Sequence, residues 1–309
     1  MALLWYSTDD DVSAWSAALR DEIDDLDLRI WPDLGDERDI DMALVWLPPP
    51  GLLAGLPNLE AIFSLGAGID AMLADPTLPA HLPLCRMVDP SLAGYMSEYV
   101  LTVALTYHRH MHLYAEQQAR GEWRLHLPVP AASRRIGVMG LGELGRHVAA
   151  TLSGHGFRVR GWSRSGKRLE GVETFAGDDE RGAFLAGCDM LVCLLPLTAE
   201  TENILDADLF AAMPDGSFLV HAGRGRQLVE ADLVEALRSG KLAAATIDVF
   251  PIEPLPADHP LWRHPRVTVT PHAASYAQAA SGAAFVADNI RRLRRGDPLL
   301  AVVDRERGY

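Results

Sequence analysis

The chain has 309 residues, 49% hydrophobic and 23% charged, which is enough for two domains that each bury a core. A formal net charge of −14 argues against nucleic acid as the main partner, and no apolar run is long enough to span a membrane. The acidic start MALLWYSTDDD makes a poor signal peptide, and three cysteines without metal-type spacing (Cys85, Cys188, Cys193) read as buried free thiols of a cytoplasmic protein.

In chain order, Ala2–Tyr6, Leu28–Pro32, Ala43–Leu47, Ala61–Leu65 and Leu84–Val88 read as strands, with acidic helical stretches between several of them. Ser91–Arg120 reads as one long helix stopped at Gly121. After proline-rich LHLPVPAA the alternation resumes with strands at Arg135–Met139, Arg158–Trp162, Met190–Leu195, Phe218–His221, Ala244–Val249 and Val267–Thr270. Helices are expected at Glu143–Ser153, Glu230–Ser239 and Ala277–Arg295, the last stopped by Gly296. Alternation of this kind points to an α/β protein with parallel sheets covered by helices. The expected architecture is a nucleotide-binding domain (99–276) inserted into a smaller, discontinuous domain built from both ends of the chain (1–98 and 277–309).

GLGELG (Gly140, Leu141, Gly142, Glu143, Leu144, Gly145) fits G-x-G-x-x-G between a strand and an amphipathic helix. The first glycine allows the turn, the second lets the backbone approach a pyrophosphate, and the third permits close helix–strand packing. The next strand ends in GWSRSGK. Sites for NAD usually place an acidic residue there to hold the ribose hydroxyls, whereas this chain has Ser163, Arg164, Ser165 and Lys167. Hydroxyl and cationic donors suit a 2′-phosphate, so NADP(H) is the preferred cofactor, with NAD(H) possible. A solvated basic turn is the alternative.

Three later stretches place functional side chains just after strands: HAGRG with Arg224, DVFPIEP with Glu253, and TPHAA with His272. Open α/β sheets bind ligands at that end of their strands. Hydride transfer to a 2-oxo acid needs a proton donor for the developing alkoxide, and His272 can supply it. Glu253 could orient and charge the imidazole, and Arg224 could hold the substrate carboxylate. Taken singly, Glu253 could brace a proline turn and His272 could be a satisfied buried histidine.

Together GLGELG, AGRG, DVFPIEP and TPHAA make the chain resemble the D-2-hydroxyacid dehydrogenase family over its whole length. LVWLPPP, SLGAGID, GWSRSGK, PLWRHPRV and VDRERGY resemble its glyoxylate/hydroxypyruvate reductase A branch. The resemblance implies two Rossmann-like domains with parallel sheets, the cofactor domain inserted into a discontinuous flavodoxin-like substrate domain, together with a homodimer and NADPH-dependent reduction of glyoxylate and hydroxypyruvate. It implies Arg224, Glu253 and His272 as the catalytic set, with Ala67 and Gly68 binding the substrate carboxylate. Asp248 would meet the nicotinamide carboxamide, while Leu195, Pro196, Thr198, Ala222 and Ala274 would line the cofactor. Trp46 would wall the substrate pocket and favour small 2-oxo acids, with packing in its own core as the alternative. Trp123 falls in the region of family dimer contacts. The usual N-x-x-R-G is here H-x-x-R-G, with His221 in place of asparagine. Alternatives are a D-lactate, phosphoglycerate or phosphite dehydrogenase, and remotely a nucleotide-sensing corepressor.

His108, His110 and His112 read as helix surface or subunit contact, and no metal is expected. Arg291–Arg295 ends a helix, where cations complement the helix dipole, so the run reads as solvated.

Overall fold

Residues 2–308 are described by the structure, a computed structural model. In chain order the first elements are β1 (Ala2–Tyr6), α1 (Val12–Glu22), β2 (Asp27–Ile30), β3 (Ile40–Val45), β4 (Ala61–Ser64), α2 (Asp70–Leu73) and β5 (Leu84–Cys85). Next come α3 (Pro90–His108), α4 (Met111–Arg120), β6 (Arg135–Met139), α5 (Glu143–Gly154), β7 (Arg158–Ser163), β8 (Val172–Ala176) and α6 (Gly177–Leu185). The last are β9 (Met190–Cys193), α7 (Ala207–Ala212), β10 (Ser217–His221), α8 (Glu230–Ser239), β11 (Leu242–Ile247), β12 (Val267–Val269) and α9 (Ala279–Arg295). They form two compact units: residues up to Leu92 with those from Tyr276 onward, and Ala93–Ser275.

The first unit holds a five-stranded sheet of order β2-β1-β3-β4-β5, parallel throughout, which is the flavodoxin-like order. Strands such as ALLWY and AIFS are almost continuously apolar because helices cover both faces of a parallel sheet. α1 starts at Asp11, whose carboxylate accepts from the amides of Ser13 (2.8 Å) and Ala14 (3.2 Å). It packs against α9, where the buried Trp15 lies directly over Gly282. The arginines at the end of α9 are ion-paired within this unit: Arg291 with Glu22, Arg292 with Asp288, Arg294 with Asp25 and Arg295 with Asp297.

The second unit holds seven parallel strands in the order β12-β11-β10-β9-β6-β7-β8. Numbered from β6, this is the doubly wound 3-2-1-4-5-6 order with one strand added beyond the sixth. The chain runs outward from β6 in one direction and from β9 in the other, so the topological switch point lies between them. Ligands bind beyond the carboxyl ends of the strands at such a point. The three cysteines are buried and free, and no described helix is long and apolar enough to cross a membrane.

Two local expectations are corrected. The helix expected over Ser91–Arg120 is two helices, because His110 adopts a left-handed conformation (φ 59°) between α3 and α4. Of the helix-surface or subunit-contact expectation, the helix-surface part fails for His108, which is buried, and for His112, which is half-buried. His108 meets the edge of Phe157, and His112 meets Tyr107 and Phe218. The second correction is β8, an edge strand that the sequence reading left out. Its VETFA alternates polar and apolar residues and is only half-buried, so it lacks the continuous apolar run of its neighbours.

A methyl group on Gly282 would lie 2.4 Å from the Trp15 ring, which has no room to retreat. Gly282→Ala is therefore expected to destabilise the protein by about 1–3 kcal/mol through overpacking. A urea-unfolding midpoint equal to that of the parent protein would disprove this contact.

Candidate active site

The glycine turn joins β6 to α5 at the switch point, and its three glycines face three different constraints. Gly140 has φ 108°, and a Cβ there would lie 2.8 Å from the Leu194 carbonyl oxygen of the adjacent strand end. Gly142 caps α5 and has open space where its Cβ would be, which leaves the backbone accessible to a phosphate group. At Gly145 a Cβ would sit 1.7 Å from the Gly140 carbonyl oxygen, so the helix can approach the turn only with glycine there. Leu141 is buried against Gly161, Leu144 is half-buried, and Glu143 is exposed and paired with Arg146. These are the spatial requirements of a pyrophosphate turn, and the residues present meet them.

β7 leads directly into the basic turn. Ser163 is buried and its hydroxyl accepts from the Lys167 amide (3.2 Å), while Arg164, Ser165 and Lys167 are exposed. Arg164 also reaches across to Glu200, with 2.6 Å between Nη1 and the carboxylate. No sequence motif announces that partner, which lies 36 positions away.

Across the switch point, β9 ends in the stretch from Leu195 to Thr198. Leu195 is buried, and the turn is pinned by Thr201, which accepts from the Thr198 amide (2.8 Å) and donates to the Pro196 carbonyl (2.7 Å). Ala222 is buried at the end of β10, its amide donating to the Cys193 carbonyl.

The three side chains expected to act together come from the ends of neighbouring strands. His272 Nδ1 lies 2.8 Å from Glu253 Oε2, and Glu253 Oε1 accepts from the Phe250 amide at 2.8 Å. Burial pushes the Glu253 carboxyl up, but the hydrogen bonds from His272 and Phe250, with the charges of His272 and Arg224, hold it below its ordinary value. An ionised carboxylate only accepts, so Nδ1 carries a proton and Nε2 is the ring atom left to face a ligand. Arg224 is half-buried, and its Nη1 donates to the Gly223 carbonyl at 2.7 Å.

Asp248 has a structural task that the sequence did not reveal. Its carboxylate is buried and gathers three donors from the His272 segment: the Thr270 hydroxyl (2.5 Å) and the amides of Ala273 (2.8 Å) and Ala274 (3.0 Å). Tyr99 in turn donates to Thr270 at 2.7 Å. The His272 amide donates to the Asp248 carbonyl (2.8 Å), and His272 itself sits at φ 51°. A left-handed histidine persists only where its surroundings fix it, and these bonds do so.

His221, which departs from the N-x-x-R-G pattern expected from the resemblance, is fully buried, and burial pushes its imidazole down to about 4. Its Nε2 lies 3.0 Å from the Arg224 carbonyl oxygen, which can only accept, so the neutral ring carries its proton on Nε2. Nδ1 is then a bare acceptor, in keeping with its lack of a hydrogen-bond partner.

In the first unit, the half-buried Trp46 packs against Gly66, where a Cβ would fall 2.2 Å from the indole. Ala67 and Gly68, half-buried, follow in the same turn after β4. The tryptophan therefore stands beside the turn expected to bind a carboxylate.

A doubly wound sheet, a pyrophosphate-type glycine turn and an imidazole–carboxylate pair at the strand ends define a nucleotide-dependent α/β oxidoreductase. The chain belongs to the D-isomer specific 2-hydroxyacid dehydrogenase family, whose NAD-binding domain is matched by residues 101–274. It is 44% identical to glyoxylate/hydroxypyruvate reductase A of Serratia proteamaculans, with 100% of both chains covered. A D-isomer specific 2-hydroxyacid dehydrogenase from Xanthobacter autotrophicus, solved with NADPH and MES, is 43% identical at TM-score 0.96, covering 100% of this chain and 99% of that one. An NADPH-dependent glyoxylate/hydroxypyruvate reductase of Sinorhizobium meliloti, solved with NADP and sulfate, is 37% identical at TM-score 0.94, with 100% of both chains covered.

The buried His221 links stability to pH. Above its ordinary pKa near 6.5 it is neutral in both the folded and unfolded states. As pH falls toward 4, the unfolded chain takes up a proton that the folded chain refuses, so stability is lost, by about 3 kcal/mol in total. The unfolding midpoint of the parent protein should therefore fall more than that of His221→Asn between about pH 7 and pH 4.5. Equal losses in the two proteins would show that His221 carries no such linkage.

Proposed function

We propose that the protein is an NADPH-dependent reductase of small 2-oxo acids, converting glyoxylate to glycolate and hydroxypyruvate to D-glycerate. The observation that carries this reading is the His272–Glu253 pair at the strand ends, with the charge of Arg224 acting on the same carboxylate. The names and bound NADPH or NADP of the relatives support the same substrate and cofactor. NADH remains a second, weaker cofactor in this reading.

When bound, the nicotinamide supplies the hydride that reduces the substrate carbonyl. His272 delivers the proton from Nε2 to the carbonyl oxygen, so the new hydroxyl forms uncharged while the product keeps its carboxylate. Glu253 holds the imidazole through Nδ1 and offsets its positive charge. Arg224 binds the substrate carboxylate with its planar fork and draws electron density from the adjacent carbonyl. Asp248 keeps the His272 segment in place from below, in addition to its proposed place beside the nicotinamide carboxamide. Leu195, Pro196, Thr198, Ala222 and Ala274 would line the cofactor.

Ser163, Arg164, Ser165 and Lys167 would hold the 2′-phosphate, with Arg164 exchanging its bond to Glu200 for the phosphate oxygens. Ala67 and Gly68 are assigned to the substrate carboxylate and Trp46 to a preference for small 2-oxo acids. A homodimer is proposed on the exposed apolar run of Trp123, Leu125, Leu127 and Val129, a grouping that usually marks an interface. A cytoplasmic location belongs to the same reading.

His272→Ala is expected to lower kcat by roughly 10²- to 10⁴-fold while leaving NADPH binding intact. Near-normal turnover in that variant would remove the proton donor from this mechanism. Arg164→Asp should raise the KM for NADPH by roughly tenfold or more with little change for NADH, since it replaces a charge-assisted bond with repulsion. Parallel changes for the two cofactors would instead make the basic turn a solvated one.

A further inference from the structure

Among the residues the sequence motifs pass over is Gln227, three positions after Arg224 and completely buried. Its Oε1 accepts from the Arg224 amide at 2.8 Å. Its Nε2 donates to two carbonyl oxygens at the end of β9, those of Leu195 (3.1 Å) and Pro196 (3.0 Å). The amide orientation follows from the partners: a backbone N–H can only meet Oε1, and two carbonyls can only meet the NH₂ group. The buried Cys193 thiol, 3.9 Å from Oε1, completes its surroundings.

The environment leaves this side chain no alternative position. Gly223 has no Cβ because one would fall 2.3 Å from Gln227 Oε1. On the far side of Arg224, a Cβ on Gly225 would fall 1.8 Å from the Phe250 carbonyl carbon, so the turn also lies hard against the segment that carries Glu253. His221 holds the Arg224 carbonyl while Gln227 holds the Arg224 amide. Both peptide groups flanking the arginine are thus gripped by fully buried side chains.

We propose that Gln227 is a positioning residue for the reductase reaction: one amide ties the Arg224 backbone to the Leu195–Pro196 carbonyls, so the anion-binding arginine and the cofactor-side turn keep a single geometry. This rests on the assignment of Arg224 to the substrate carboxylate. A buried amide with every N–H used is costly to desolvate and effective only when fully satisfied, as this one is. Removing it frees the arginine to wander by fractions of an ångström, which is enough to misplace a planar fork.

The test is a double-mutant cycle in the full-length protein with NADPH and glyoxylate, comparing the parent, Gln227→Met, Arg224→Ala and the combination. Gln227→Met should lower kcat/KM for glyoxylate by roughly 10- to 100-fold in the parent background. In the Arg224→Ala background it should cost less than about threefold, because the group it positions is already gone. An equal loss in both backgrounds, or none in the parent, would overturn the proposal and leave Gln227 a purely structural residue. Should Gln227→Met fail to fold, Gln227→Asn, one methylene too short to reach both partners, is expected to show the same dependence on background. An Arg224→Ala protein with parental kcat/KM would instead defeat the assignment of Arg224 itself, a separate and visible outcome.

Discussion

The buried carboxylate of Asp248 is the interaction on which the candidate site depends. Three donors from the segment after β12 converge on it, and they hold His272 in a backbone conformation that a histidine does not adopt unaided. Without that brace the imidazole would have no fixed direction, and its 2.8 Å hydrogen bond to Glu253 would be one of many accessible arrangements. The desolvation of a carboxylate is offset here by charge-assisted hydrogen bonds, the condition under which a buried charge is tolerated. In the proposed mechanism a proton donor gains its value from being aimed before the substrate arrives, so this structural bond would be part of the chemistry.

The brace works because of the sheet. Parallel strands with right-handed crossovers deliver every strand end to the same edge, so residues far apart in sequence reach one place without long loops. Arg224 follows β10, Asp248 and Glu253 follow β11, and His272 follows β12, three strands that lie side by side. The glycine turn after β6 and the Leu195 turn after β9 stand on either side of the switch point. Gly225 and Gly145 mark the two closest approaches of backbone to a glycine in this unit, and both are glycine because the neighbouring backbone occupies the space of a Cβ.

Much of this was legible in the sequence, for reasons tied to particular residues. The spacing GLGELG states a local requirement, and a local requirement survives in local sequence. The strands were visible because a doubly covered parallel sheet needs runs such as MLVC and SFLVH, with no polar face to disguise them. The edge strand VETFA lacked that signal and went unread. The break at His110 was hidden because YHRHMH keeps a helix-compatible pattern with neither glycine nor proline, and the left-handed turn comes from tertiary packing. Gln227, Glu200 and the bracing role of Asp248 were illegible for another reason. Each has a partner 22 to 36 positions away, and only the fold brings those groups together.

The most direct test is the initial rate of cofactor oxidation by the purified protein with glyoxylate and with hydroxypyruvate, each with NADPH and NADH in parallel. The geometry of the strand-end site and the basic turn predict rapid turnover of both substrates with NADPH and much slower turnover with NADH. Turnover favouring NADH would contradict the phosphate-binding role of the Ser163–Lys167 turn. No turnover of either substrate with either cofactor would contradict the account as a whole.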